Sequence, residues 1–151
     1  MSTKISTVYP VLVSLLGTLF PTKTRIPYAN DIQNNTDLFL RDGYGIWVED
    51  VTLPIYQFNN YTCSYNIPIV LTKEIIHKDN DITNYDSGIL SLLEDMNTLV
   101  KRLHNPDQIG QEANIENITV ENVTPIQTII TENKKFFSIT ISLRLEITES
   151  I

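Results

Sequence analysis

The sequence has 151 residues, of which 42% are hydrophobic and 19% charged, and this balance predicts one globular domain rather than a disordered chain. Its 18 acidic and 11 basic residues give a formal net charge of -7, which disfavours nonspecific binding to nucleic acid or anionic lipid. The single cysteine, Cys63, excludes an intrachain disulfide framework and is compatible with a reducing cytosol. It lies in an alternating run that predicts a small buried residue.

The first predicted element is a helix over residues 7–19. Its apolar residues fall on one helical stripe, and Pro10 is tolerated only in a first turn. The apolar stretch 8–20 reaches only about two-thirds of a membrane span and is interrupted by Pro10 and Gly17. We therefore expect neither a transmembrane helix nor a signal peptide here.

Residues 22–40 predict a long and largely polar connector that holds at most a short strand around residues 25–28. A connector of this length is either flexible or ordered by a neighbouring molecule. We therefore expect it to contribute little to the core of one domain.

Two strands are predicted in the next third of the chain. Residues 43–51 combine two glycines with Tyr44 and Trp47, which indicates a bend or bulge before a strand, with both aromatic side chains packed in or beside the core. Residues 61–72 alternate apolar and polar and predict a long strand. Pro68 lacks a backbone donor, which favours an edge position or a bulge for this strand.

A second helix is predicted over residues 89–103, with Asp86 or Ser87 as its N-cap. Its apolar residues recur at three- and four-residue spacing, and we expect Leu93, Met96 and Val100 to be buried against the sheet. The acidic loop before it does not fit a calcium-binding loop that starts at Asp79, because the sixth and twelfth positions are not glycine and glutamate.

The last part of the chain predicts strands at 115–123 and 126–130, a turn at 132–135 and a final strand over residues 137–147. That final strand alternates strictly between apolar and polar residues, so one of its faces must be buried. A short turn between consecutive strands predicts an antiparallel hairpin.

Together these elements predict an α+β fold, in which an antiparallel or mixed β-sheet carries two helices packed on one face. We expect a single domain over residues 1–151 with the long connector at 22–40. The other face of the sheet is polar and would meet solvent or a neighbouring molecule.

No motif in the sequence indicates a chemistry. His77 and His104 lie in different predicted elements, and no phosphate-binding loop, dinucleotide fingerprint or nucleophile elbow is present. Glu49 and Asp50 are adjacent, so on a regular strand they point to opposite faces and cannot act as an acid and base pair. We therefore predict a protein that is not an enzyme, with no catalytic residue, no cofactor site and no metal site.

The order of predicted elements resembles that of the tail-terminator and head-to-tail joining (neck) proteins of tailed bacteriophages. The resemblance covers the opening helix at 8–20, the connector at 26–28, the strand at 65–71, the helix at 89–103 and the closing strand at 136–145. It implies a structural virion protein, made in the host cytoplasm, whose subunits join edge to edge into a ring of six or twelve copies at the head-tail junction or tail end. The implied partners are portal, adaptor or tail-tube proteins, with duplex DNA passing through the lumen unbound and no membrane involved.

An alternative class stays open from the sequence alone. It is a soluble bacterial domain that binds a small ligand, or a minor enzyme, with the polar loop at 79–87 beside a cleft. In the ring-forming class, by contrast, segments 22–40 and 79–87 are the expected contacts between copies.

Overall fold

A computed structural model of the protein describes residues 5–57, 60–75, 82–103, 117–130 and 134–150. These residues form a six-stranded mixed sheet with helices, which confirms the predicted α+β class. In chain order the elements are α1 (Ile5–Leu19), β1 (Thr24–Arg25), a 3₁₀ segment (Ala29–Asn34), α2 (Asp37–Leu40), β2 (Asp42–Ile46), β3 (Asp50–Gln57), β4 (Asn60–Ile75), α3 (Ile82–Leu103), β5 (Asn117–Ile130) and β6 (Lys135–Ser150).

The centre of the sheet is the antiparallel pair of β4 and β6. Each strand has 16 residues, and they pair along their whole length, from Asn60 opposite Ser150 to Ile75 opposite Lys135. Both were predicted from their alternating patterns, and both extend beyond the predicted bounds. β2 and β3 follow one another along the free side of β4, while β5 pairs with the free side of β6.

Pro68 lies on this central strand, so the prediction that its strand occupies an edge of the sheet is wrong. Ile46 of β2 pairs with Ile69, and Asp50 of β3 pairs with Asn66, so residues 47–49 face only residues 67 and 68. The neighbouring chain therefore bulges opposite Pro68, whose carbonyl accepts a hydrogen bond from the N–H of Trp47 at 3.3 Å. The backbone donor that Pro68 lacks falls where the ladder is interrupted, which agrees with the predicted bulge.

β5 is one strand where the sequence predicted two. It pairs antiparallel with β6 as the predicted hairpin, with register shifts between Val120 and Asn122 and between Thr124 and Gln127. The second shift contains Pro125, the residue that divided the two predicted strands. A bulge accommodates the proline without ending the strand.

Helices α1 and α3 pack on the same face of the sheet, as predicted. They cover the odd-numbered residues of β4 and β6, and Tyr44 of β2 joins this core. The main cluster consists of Val8, Leu12, Leu15, Leu16, Phe20, Tyr44, Ile46, Ile67, Ile69, Leu71, Ile75, Leu92, Leu99, Leu103, Phe137, Ile139, Ile141, Leu143, Leu145 and Ile147. Cys63, expected to be buried, is half-buried.

Two details of α3 differ from the prediction. The helix begins at Ile82, so Asp86 and Ser87 lie inside it and neither is an N-cap. Its fully buried residues are Leu92, Leu99 and Leu103, whereas Leu93, Met96 and Val100 are only half-buried. Leu92, Leu99 and Leu103 belong to the main core, and Leu93 and Met96 pack beside it.

The connector contributes a second core, contrary to the expectation that it would pack little within one domain. Ile26, Ala29 and Leu40 are buried on the opposite face of the sheet against Val70, Ile129 and Phe136. Gly43 and Gly45 of β2 allow this close approach. A Cβ atom at Gly45 would lie 2.5 Å from the Ala29 Cβ, and one at Gly43 would meet the Phe39 carbonyl oxygen.

The face opposite the two long helices is therefore divided. At the end where β6 begins, the connector covers it, and we call this region the covered end. At the other end the same face carries polar side chains from β3, β4, β5 and β6, and we call this region the open face. Its central residues are Ser64, Asn66, Thr119, Arg144 and Glu146.

Candidate interaction surfaces

The open face contains a shallow polar basin of about 190 Å³ around Arg144. The Arg144 guanidinium lies 3.3 Å from a Glu121 carboxylate oxygen and 3.7 Å from one of Glu146, and it donates to the Ser64 hydroxyl at 3.4 Å. All three charged side chains are more than 40% exposed, so solvent screens these ion pairs. The basin is lined by Asp50, Thr52, Ser64, Tyr65, Asn66, Glu121 and Arg144.

Asn66 lies beside two carboxylates that the sequence placed apart. Its Nδ2 donates to the Glu49 carboxylate at 3.2 Å, and Asp50 lines the basin beside it. The expectation that Glu49 and Asp50 point to opposite faces is wrong, because the bulge at residues 47–49 breaks the alternation. Within the described part of the chain, the buried Oδ1 atom of Asn66 accepts no hydrogen bond.

The connector is held as an ordered surface by the side chain of Asn35. This buried amide accepts a hydrogen bond from the Tyr28 N–H at 3.1 Å and donates to the Tyr28 carbonyl at 2.9 Å and the Ile32 carbonyl at 3.1 Å. It closes the loop from Tyr28 to Asn35. Tyr28 on this loop and Leu38 on α2, which follows it, are each 63% exposed. Two large apolar side chains are thus displayed on a fixed backbone.

Lys23 joins the connector to both layers of the fold. Its amine lies 2.5 Å from Asp42 of β2 and 3.1 Å from Asp95 of α3, and the lysine side chain is only 3% exposed. A buried amine held between two carboxylates is a structural tie that fixes the start of the connector.

A separate groove of about 500 Å³ runs along α1 beside the end of α3. Its walls are mainly apolar and are formed by Pro10, Val11, Ser14, Leu15, Thr18, Leu19 and Arg102. None of these lining residues is a nucleophile paired with a base.

The described residues contain no group of three or more His, Cys, Asp and Glu side chains arranged to hold a metal ion. Asp86 of the acidic loop lies within α3, and His77, Asp79, Asp81 and His104 lie outside the described residues. In the part of the chain that the structure describes, no helix is both long enough and apolar enough to cross a membrane.

The sequence matches no protein-family model, and it matches no curated protein. We therefore infer function from the surfaces described above.

Proposed function

We propose that this chain is the structural subunit of a ring at the head-tail junction or tail end of a tailed bacteriophage, where it joins the portal-connector to the tail and lets DNA pass. The observation that carries the proposal is the ordered connector, which displays Tyr28 on the loop held by Asn35 and Leu38 on the helix α2 that follows it. The element order of the fold, with its closing central strand, is also the order that the resemblance implies.

Contacts between copies would remove these two side chains from water. Burying a large apolar side chain contributes about 1.5–3 kcal/mol, so one such contact per subunit becomes substantial when it is repeated around a ring. Because the connector is already ordered, its conformational entropy is not lost again on assembly.

The charge of the chain suits a channel for DNA. A ring of subunits that each carry a formal charge of -7 does not attract the phosphate backbone, so duplex DNA would pass without adhering.

The oligomeric state tests the proposal. The purified chain is expected to form closed rings of six or twelve copies, measured by light scattering after size exclusion and seen directly by negative-stain electron microscopy. The double variant Tyr28→Ser/Leu38→Ser should lower the ring fraction while leaving the thermal unfolding transition within a few degrees of wild type. These substitutions test the contact better than a deletion of residues 30–35 would. The deletion would remove the buried Asn35, whose hydrogen bonds hold the loop.

A matched control is Leu90→Ser/Ile130→Ser on α3 and β5, where the side chains are 60% and 70% exposed. If both double variants lower the ring fraction equally, the connector has no special part in assembly. A wild-type chain that is monomeric at all concentrations and does not attach to tail tubes would contradict the proposal and favour the small-ligand-binding class.

A further inference from the structure

The groove along α1, which we call the α1 groove, lies on a helix without charge. The α1 sequence contains no Asp, Glu, Lys or Arg, although the chain as a whole has a formal net charge of -7. Arg102 of α3 is the one charged residue among the described residues that line the groove. The Thr18 hydroxyl donates to the Ser14 carbonyl at 3.0 Å, so it keeps a hydrogen bond when water is removed. A partner can therefore cover this groove with little loss of polar hydration.

The connector displays a matching apolar group, Tyr28 and Leu38, which we call the connector pair. Each of these side chains is 63% exposed. Asn35 holds the Tyr28 backbone, and Leu38 follows Asn35 by three residues, which span at most about 11 Å of chain. The stretch of α1 between Pro10 and Leu19 that lines the groove is about 13 Å long. The groove is therefore long enough to take both side chains.

The charges beside the two surfaces are opposite. Asp31 and Asp37 are the charged residues of the connector between residues 26 and 40, a stretch without Lys or Arg. Neither aspartate forms an ion pair with another described residue. Arg102 lies in the α1 groove, and a guanidinium has five N–H donors that suit carboxylates. A connector pair that enters the groove would bring two carboxylates towards this cation.

One copy does not fill its own groove. Helix α1 packs on one face of the sheet, and the connector packs on the opposite face, so the sheet lies between them. A second copy placed head to tail is able to insert its connector pair. The groove volume of about 500 Å³ lies within the range of roughly 300–1,000 Å³ for pockets that enclose small molecules, which leaves room for two side chains.

Backbone pairing between sheet edges is a less favourable route to a ring. The outer edge of β5 is interrupted by Pro125 and two register shifts, and β3 contains Pro54 and one register shift. Prolines and bulges of this kind discourage the addition of another strand. The edge-to-edge contact that the resemblance implies is therefore disfavoured at these two strands, which favours a contact through side chains.

We propose that the connector pair of one copy inserts into the α1 groove of the next copy, with Asp31 and Asp37 beside Arg102. This inference rests on the proposed ring function and specifies its contact. The two surfaces of the contact are different, so the contact is heterologous, and such contacts generate rings when their rotation closes. The buried Tyr28 hydroxyl requires a hydrogen-bond partner, which the Ser14 hydroxyl in the groove supplies.

Two variants separate the surfaces. The connector variant is Tyr28→Ser/Leu38→Ser, and the groove variant is Ser14→Glu/Thr18→Glu, which places two charged side chains in the groove at exposed positions. Each variant alone lacks one half of every contact. The self-association of each, measured by sedimentation velocity, should therefore weaken about tenfold or more.

A mixture of the two variants gives the decisive result. The connector variant keeps its groove and the groove variant keeps its connector pair, so one contact forms between them. The remaining groove and the remaining connector pair of that dimer are both altered, so it does not grow. The mixture should therefore give 1:1 heterodimers and no rings, measured at up to about 1 mM protein so that a single weak contact is populated.

The control variant Asn97→Glu/Thr98→Glu adds the same charge at exposed positions of α3 that do not line the groove, and it should assemble as wild type does. Thermal unfolding of every variant confirms that it is folded. A groove variant that still forms wild-type rings, or a mixture without heterodimers, would show that the groove is not the partner of the connector pair, while the ring itself stands. If the wild type never associates, the proposed function fails first and this contact fails with it.

Discussion

The covered end and the open face belong to the same strands but are built differently. At the covered end β4 is buried on both sides, since Leu71 faces the long helices and Val70 faces the connector. On the open face the polar side of the same strand carries Ser64 and Asn66 under exposed ion pairs. Stability should therefore be concentrated at the first region, and capacity for contact with other molecules at the second.

The largest effect is expected at Phe136, which is fully buried in the second core. Phe136→Ala should lower the free energy of unfolding by about 3–5 kcal/mol, because it leaves a cavity between the connector and the sheet. Chemical denaturation measures this change. The control Ile130→Ala, at a side chain that is 70% exposed, should stay within about 0.5 kcal/mol of wild type. Equal losses at the two positions would mean that the connector does not seal this face.

Lys23→Met tests the tie between the connector, β2 and α3. The substitution keeps the volume of the side chain but leaves Asp42 and Asp95 without their shared cation, and we expect a loss of about 1–3 kcal/mol. Both carboxylates are about 30% exposed, so water can hydrate them in the variant. This hydration limits the loss in the free energy of unfolding. Lys101→Met on the exposed side of α3 is the matched control, and a similar loss there would show that the effect is not specific to the tie.

Gly45→Ala tests the close approach of the connector. The added methyl group would lie 2.5 Å from the Ala29 Cβ, and overpacking of this kind costs about 1–3 kcal/mol. The second substitution Ala29→Gly removes the clashing atom. In a double-mutant cycle the pair should be less destabilised than the sum of the single variants. Additive losses would argue against a direct clash.

The smallest effect is expected on the open face. Arg144→Gln removes two ion pairs whose members are more than 40% exposed, so the free energy of unfolding should change by less than about 1 kcal/mol. The difference from wild type should shrink further in 0.5 M salt, because added ions screen these charges. A loss comparable to that of Phe136→Ala would remove the distinction between the two ends.

Regular patterns in the sequence predicted the regular parts of the fold. The alternation in β6 and the three- and four-residue spacing in α3 reflect burial on one face, which is a local property. The docking of the connector depends on residues far apart in the chain. In the sequence it is indicated by positions where the alternation of apolar and polar residues is broken. Val70 interrupts the polar side of β4, and Phe136 precedes Phe137 as an apolar doublet. Read as evidence for burial on both faces, these residues would have indicated the second core.

The basin on the open face was harder to predict. The sequence singles out Glu49 and Asp50, the two carboxylates beside Asn66, but strict alternation places them on opposite faces. The bulge that brings both near Asn66 depends on Pro68 in the neighbouring strand. A bulge was predicted from the glycines nearby, yet its effect on the direction of each side chain follows only from the pairing register.

The central position of β6 has a consequence for how the protein is made. Each of its pairings with β4 joins residues 60 to 90 positions apart in the chain. At a synthesis rate of about 5–20 residues per second, Lys135 is added roughly 3–12 s after its partner Ile75. During that interval β4 has no partner on its inner edge and β5 has no partner at all. The sheet therefore closes only once β6 has been synthesised, and the apolar faces of β4 and β5 stay exposed until then.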